Sequence, residues 1–562
     1  MKHKIVSYAI VLVCLLGGLF SAQAASDAEY KKLSKAWTWN ADGSQEFHYN
    51  MELTIYTHTA MRSAYGETFI VYNPEYQTLK INESYTKQAD GTIVKTPDNA
   101  FVEVLPRAAA NAPAYNHLKE MVIVHTGLEL GATIYLDYTL TSKAGYLPAL
   151  DILEPLQQSS PVKEYNLSIS VPEGDDLFYG MNPAQKANVQ VKEGMRTVSW
   201  RLRNVEARPH VAGLNPLFDG SPLFYASSYD SEADALRSLY AQFETKESMP
   251  LLSLAETLTE GKTGEREKLQ AILSFVQKDF AHCALSLAET GYRIRDVEEV
   301  IRSAYGTETE LLNLLQGLLN AAQIRTEIGV LYPKDAPEDS FGLAAAHLFL
   351  KAEADGETYL LNASDPTMDR AGWFAPRARV VDLKSDKPLE LPAVSPALHY
   401  QYALSWDGDK VVAKTTSTVP PCFISYLAAS DTVPAQTLPL EKAGVYTLIA
   451  LPDAADGASH AGYASMNTTR PCNLLLPYAP DETYTYTLTL PEGCRVATPV
   501  GEKMCSNAAG TMQFILTQKG NEVTVTRSLK VNQPLITPRL YADFHALMAA
   551  WVNPNYTHLL VR

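Results

Sequence analysis

The 562-residue sequence predicts an α+β multidomain protein: an N-terminal antiparallel β-sandwich-like domain, a central α+β core and a C-terminal β-sandwich-like domain. Three observations carry this. Long tracts near both ends alternate apolar and polar residues and are cut by Asp-Gly and Gly-containing turn signals, the signature of half-buried strands. The middle tract instead spaces its apolar residues by three and four, as helices do. Helical runs then give way to short strands joined by a hairpin turn, an α+β order. The length alone implies about three domains.

The first residues read as a secretion signal. Lys2 and Lys4 supply a positive start, the stretch from Ile5 to Phe20 is apolar, and Ala22-Gln23-Ala24 is a small-residue cleavage site. The sequence thus predicts a signal peptide over 1–24, cleaved after Ala24, and a periplasmic or secreted protein. Cys14 lies inside the apolar core behind Val11-Leu12-Val13, which argues against a lipoprotein cysteine. No later segment is apolar enough to span a bilayer as a helix, so an integral membrane protein is not expected. Cleavage removes two lysines and no acid, taking the formal charge from −16 to −18. So acidic a chain disfavours nucleic acid as a partner.

The N-terminal β-rich domain is expected over 25–230. Phe47 to Tyr56 alternates, with Met51, Leu53 and Ile55 on one face. Val122-Ile123-Val124, Thr133 to Leu140 and Arg196 to Arg203 continue the pattern. Asp42-Gly43, Asp90-Gly91 and Glu173-Gly174 mark turns. The central domain is expected over 231–390. Ser231 opens a helix carrying Leu236, Leu239, Tyr240 and Phe243, and a second helix runs from Gly264 to Asp279. A third follows Gly306 with Leu311, Leu312, Leu315, Leu318 and Leu319. Strands at Glu327–Leu331, His347–Ala352 and Glu357–Leu361 come next, the last two joined at Asp355-Gly356. The C-terminal domain is expected over 391–562. One hairpin turns at Asp407-Gly408 and another at Lys519-Gly520-Asn521, and Thr537 caps a final helix opened by Pro538. Five cysteines remain after cleavage. Cys494 could pair with Cys505, and Cys422 and Cys472 are also candidates, but the connectivity of the four stays open. No Cys-x-x-Cys or His-x-x-x-His spacing suggests zinc, and no metal or cofactor is expected.

The candidate site lies in the middle. Tyr305-Gly306-Thr307-Glu308 opens a leucine-rich helix, and His347 begins an apolar strand, Leu348-Phe349-Leu350. Tyr359-Leu360-Leu361-Asn362-Ala363-Ser364-Asp365-Pro366 follows across the hairpin. With Cys283 to Ala288 and Gly291-Tyr292-Arg293, these segments resemble the transglutaminase-like superfamily in its bacterial secreted form, over roughly 264–383. The resemblance implies a papain-like core bracketed by an N-terminal β-rich domain of unknown function and a C-terminal β-rich domain. It also implies a cysteine opening the helix, a histidine on a later strand and an aspartate on the next. A thiol at a helix start is drawn toward thiolate by the dipole, an imidazole completes its activation, and a carboxylate fixes the imidazole.

Glu308 occupies the cysteine position, His347 the histidine position and Asn362 the position of the orienting aspartate. A carboxylate at a helix start is stabilised as an anion and is a poor nucleophile. Asn362 can accept a hydrogen bond from His347 but cannot stabilise an imidazolium by charge. Asp365 would replace it only if the chain turns after Asn362. Cys283, beside His282, is a displaced thiol with apolar neighbours. Thr307 and Thr309 offer hydroxyls without an activating base, and a metal held by Glu308, His347 and Asp365 has no diagnostic spacing. The expectation is therefore an exported cell-envelope protein with a degenerate, non-catalytic core that binds a peptide, protein or glycan of the envelope. The alternative is an amide hydrolase, cysteine protease or acyl transferase with a rearranged site.

Overall fold

A computed structural model of the chain describes residues 26–243, 248–334, 339–428 and 430–562. The leader expected at 1–24 lies outside the described residues. The protein is mostly β, 41% strand and 20% helix, in several sheets. It forms two compact units. The first is the chain up to Leu150 with Pro155–Leu177 and Pro183–Arg208. The second is Asp151–Glu154, Phe178–Asn182 and Pro209–Arg562.

The first unit is built on an eight-stranded sheet with Ala28–Trp39, Gln45–Ile55 and Thr133–Ser142 in its middle. Tyr165, Leu33, Met51 and Leu136 lie in one row across four strands and are all buried. Met51, Leu53 and Ile55 are buried as their alternation predicts. The antiparallel expectation needs one correction. Ala28–Trp39 runs parallel to its neighbour Val162–Pro172, and the other pairs of the sheet are antiparallel. Alternation reports which face a residue takes, not which way the adjacent strand runs.

The second unit contains the site. Its four-stranded antiparallel sheet runs in the order Glu357–Leu361, His347–Ala354, Arg325–Pro333, Ala378–Asp382. The helix Glu308–Ala321 is buried on almost every side through Leu311, Leu312, Leu314, Leu315, Leu318 and Leu319. It packs against the helices Met249–Thr259, Glu265–Asp279 and Val297–Ser303 and against the sheet. Side chains buried all round give such a helix one fixed place, and that place sets where its first residue stands.

The C-terminal part of this unit forms a seven-stranded sheet, again with one parallel pair, Leu398–Asp407 beside Asp481–Thr489. The helix Pro538–Trp551 lays Tyr541, Phe544, Leu547, Met548 and Trp551 into the core. Thr537 holds the N-cap position but makes no side-chain capping bond, contrary to expectation. Cys283, Cys422, Cys472, Cys494 and Cys505 are all free thiols. Among the described residues no helix is long and apolar enough to cross a membrane.

Candidate functional site

The start of the Glu308–Ala321 helix is fixed by a buried network. Thr307 is the N-cap, its hydroxyl accepting from Glu310 N, while Glu310 reaches back to accept from Thr307 N at 2.9 Å, forming a capping box. Glu310 is fully buried and paired with Arg295. Arg295 Nε donates to Oε1 at 3.0 Å and Nη2 to Oε2 at 3.0 Å, and Arg295 N donates to Oε1 at 2.8 Å. Arg295 also donates to Tyr305 O at 2.7 Å and lies 4.5 Å over the Tyr305 ring. The residue next to this anchor, Glu308, is exposed and stands at the first helical position.

Glu308 and His347 line one cleft of about 430 Å³, with Leu285–Ala288, Tyr292, Thr309, Leu312 and Asp151 among its walls. His347 does not use Asn362 as its partner. Its Nε2 meets Asp369 Oδ1 at 2.9 Å. The reason is local. The strand ends at Leu361, and Asn362 Oδ1 then accepts from Ser364 N and Asp365 N, turning the chain. Asp365 spends its carboxylate on Thr367 N and Oγ1. The chain returns with Asp369 as N-cap of the short helix Arg370–Phe374, Oδ1 accepting from Ala371 N at 2.8 Å. Met368, Ala371 and Phe374 sink into a core shared with Leu331, Phe349 and Leu360, so Asp369 is held in place. Asn362 becomes the support behind it, its Nδ2 donating to Asp369 Oδ2 at 3.2 Å.

Burial pushes the His347 imidazole toward its neutral form. The hydrogen bond and charge of Asp369, and the field of Glu308, outweigh that and hold its pKa above the ordinary value. With Nε2 engaged by Asp369, Nδ1 is the nitrogen that remains for the cleft. His347 and an orienting acid are thus assembled, and the residue across from them is a carboxylate. The ion pair of His347 is with Asp369, not with Glu308.

The other candidates fall away from the cleft or carry no activation. Cys283 pairs in register with Thr307 on two short parallel strands, is 4% exposed and is absent from the cleft walls. Burial raises its thiol pKa, with the Glu310 charge adding to the effect, which opposes thiolate. Thr307 is spent as a cap. Among the described residues no group of three or more His, Cys, Asp or Glu is placed to hold a metal ion.

Two site residues were not foreseen from the sequence. Asp369 followed by an apolar helical turn is an N-cap signal, but a short one. Asp151 enters the cleft from a strand 193 positions before its partner Ala344, and nothing local in the sequence marks it.

Two domains of unknown function match the chain, DUF3857 over residues 41–209 and DUF3858 over residues 446–561. A crystal structure from Parabacteroides distasonis, described as a "putative protease", is 40% identical, with a TM-score of 0.79. The match covers 95% of this chain and 99% of that one. A "putative cysteine protease" from Cytophaga hutchinsonii is 12% identical over 37% of this chain and 73% of its own, with a TM-score of 0.18. An M1 zinc metallopeptidase from Deinococcus radiodurans is 12% identical over 45% and 54%, with a TM-score of 0.20. The last two are too dissimilar to bear on this chain. No curated protein matches it.

Proposed function

We propose, for a chain that belongs to the same family as the Parabacteroides distasonis protein, a role in binding rather than turnover. On this reading the central region is a degenerate transglutaminase-like core. It serves an exported envelope protein as a binding or scaffolding module for a peptide, protein or glycan. One observation carries the proposal: the residue opening the buried helix opposite the His347–Asp369 pair is the carboxylate of Glu308. An acid there cannot open an acyl-enzyme route as a thiolate does, because a carboxylate is a far weaker nucleophile toward an amide carbonyl than a thiolate. The leader ending in Ala22-Gln23-Ala24 supports export. The cleft lining supports a choice of ligand charge. Among the described residues its walls hold leucines, two carboxylates and no lysine or arginine, which suits a neutral or cationic segment with apolar groups.

A second reading, amide hydrolysis or acyl transfer by a rearranged site, draws on the retained His347–Asp369 pair and on the "putative protease" description of the relative. Labelling with thiol- and hydroxyl-directed electrophiles, followed by peptide mapping, separates the two. The binding reading expects no adduct on a cleft residue and no cleavage of peptide amides. An adduct or a cleavage activity that disappears in His347→Ala selects the second reading instead.

A further inference from the structure

His347 begins its strand directly after a segment without regular structure, residues 339–346. No strand ladder holds that segment, so its backbone groups must be satisfied otherwise. Tyr332 Oη donates to Gly342 O at 3.1 Å, and Asp339 Oδ1 accepts from Glu232 N at 2.9 Å. A further share falls to Asp151. Its carboxylate accepts from Ala344 N at 2.8 Å, with the main-chain NH groups of Leu343 and Gly342 and the Tyr292 hydroxyl close enough to favour its anion. The approach is close enough that a Cβ on residue 342 would lie 2.6 Å from the Asp151 carboxyl carbon, so a side chain there would displace the carboxylate. The acid thus fills a nest on the NH side of residues 342–344, with the Ala344 NH as its hydrogen-bond donor.

We propose that Asp151 is a positioning residue of the cleft, gathering the Gly342–Ala344 backbone so that His347 enters its strand in register with Asp369. The proposal rests on the reading of the His347 cleft as the functional site. The groups facing Asp151 are dipoles rather than cations: the three NH groups and Tyr292, with Tyr229 and Tyr332 beyond them. Among the described residues no lysine or arginine pairs with it. Burial accordingly pushes its pKa up to about 6, against the pull of its donors.

The test compares the full chain with Asp151→Asn by amide hydrogen exchange over 340–346 and by NMR titration of the imidazoles. The expected result in the parent protein is protection of the Ala344 amide at least tenfold above that of Asp151→Asn, at pH 5 and at pH 7, after correction for intrinsic rates. In Asp151→Asn protection is low at both pH values and the His347 titration midpoint moves, while the other imidazoles keep theirs. If Asp151→Asn does not fold, Gly342→Ala attacks the same nest from the opposite side and is expected to move the same two readouts. Unchanged amide protection and an unchanged His347 midpoint in a folded variant would overturn the proposal. So would equal movement of all imidazoles, the mark of a general loss of structure. The readout needs neither ligand nor turnover, so it can fail while the binding reading stands, and the electrophile experiment can fail while this one succeeds.

Discussion

Arg295→Met isolates the contact that fixes the mouth of the cleft. Glu310 has 0% side-chain exposure and Arg295 has 13%. The substitution removes both guanidinium bonds to the carboxylate and leaves it with two donors, Arg295 N and Thr307 N. It also strips Tyr305 O of its guanidinium donor. Breaking a buried pair by deleting one partner costs about 3–5 kcal/mol, because a desolvated charge is left behind. The remaining NH donors and the helix dipole recover at most ~1 kcal/mol. A loss of about 3 kcal/mol is therefore expected. In Arg295→Met/Glu310→Met the stranded charge is gone, and the residual loss, about 1–2 kcal/mol, reflects the broken capping box. Two compact units make a single global unfolding energy ill-defined. The assay is native-state hydrogen exchange of the 308–321 amides in both single variants and the double. A loss under ~1 kcal/mol in Arg295→Met, or no coupling in the cycle, would refute the claim that this pair anchors the helix start.

Two further predictions concern protons. Asp369→Asn removes the charge that holds His347 up, so the His347 midpoint in an NMR titration is expected to fall toward or below the ordinary imidazole value. No movement would mean that Asp369 does not set the imidazole. The two units should also respond oppositely to pH. Glu482, 1% exposed, has its pKa pushed by burial to about 7, so its contribution is fully present below the ordinary value of 4.5 and is lost as pH rises through about 7. That is worth about 3 kcal/mol at most. His125, 5% exposed, is held by burial down to about 4, so its contribution is present above 6.5 and is lost as pH falls through about 4. Hydrogen exchange from pH 4 to 8 should show the strand from Asp481 weakening toward alkali and the strand ending at Val124 weakening toward acid. Glu482→Gln and His125→Gln should flatten the respective trends.

The parts of the fold that were legible in the sequence are those written in local periodicity. The Glu308–Ala321 helix, the His347 strand and the Asp355-Gly356 hairpin follow from spacing and turn chemistry, because each is specified within a few residues of itself. Strand direction was not legible. The parallel pairings of Ala28–Trp39 and Leu398–Asp407 join segments far apart in the chain, and a pattern of period two is the same for either direction. Glu308 and His347 could be placed at one cleft because both begin elements that carry strong patterns. The orienting acid could not, since Asn362 ends its strand in a turn and the carboxylate arrives seven residues later on a five-residue helix. Asp151 is the extreme case. Its hydrogen-bond donor lies 193 residues along the chain, and no spacing rule links it to Ala344.

On the proposed reading the cleft retains the geometry of a cysteine-type site and differs from one at residue 308. Glu308→Cys is the test, with alkylation by iodoacetamide followed residue by residue across pH, since five other thiols are free among the described residues. The expected result is rapid modification at position 308 with a midpoint below the ordinary thiol range, slowed at least tenfold when His347→Ala is added. Modification no faster than that of an unactivated thiol, or a rate indifferent to His347→Ala, would contradict the account.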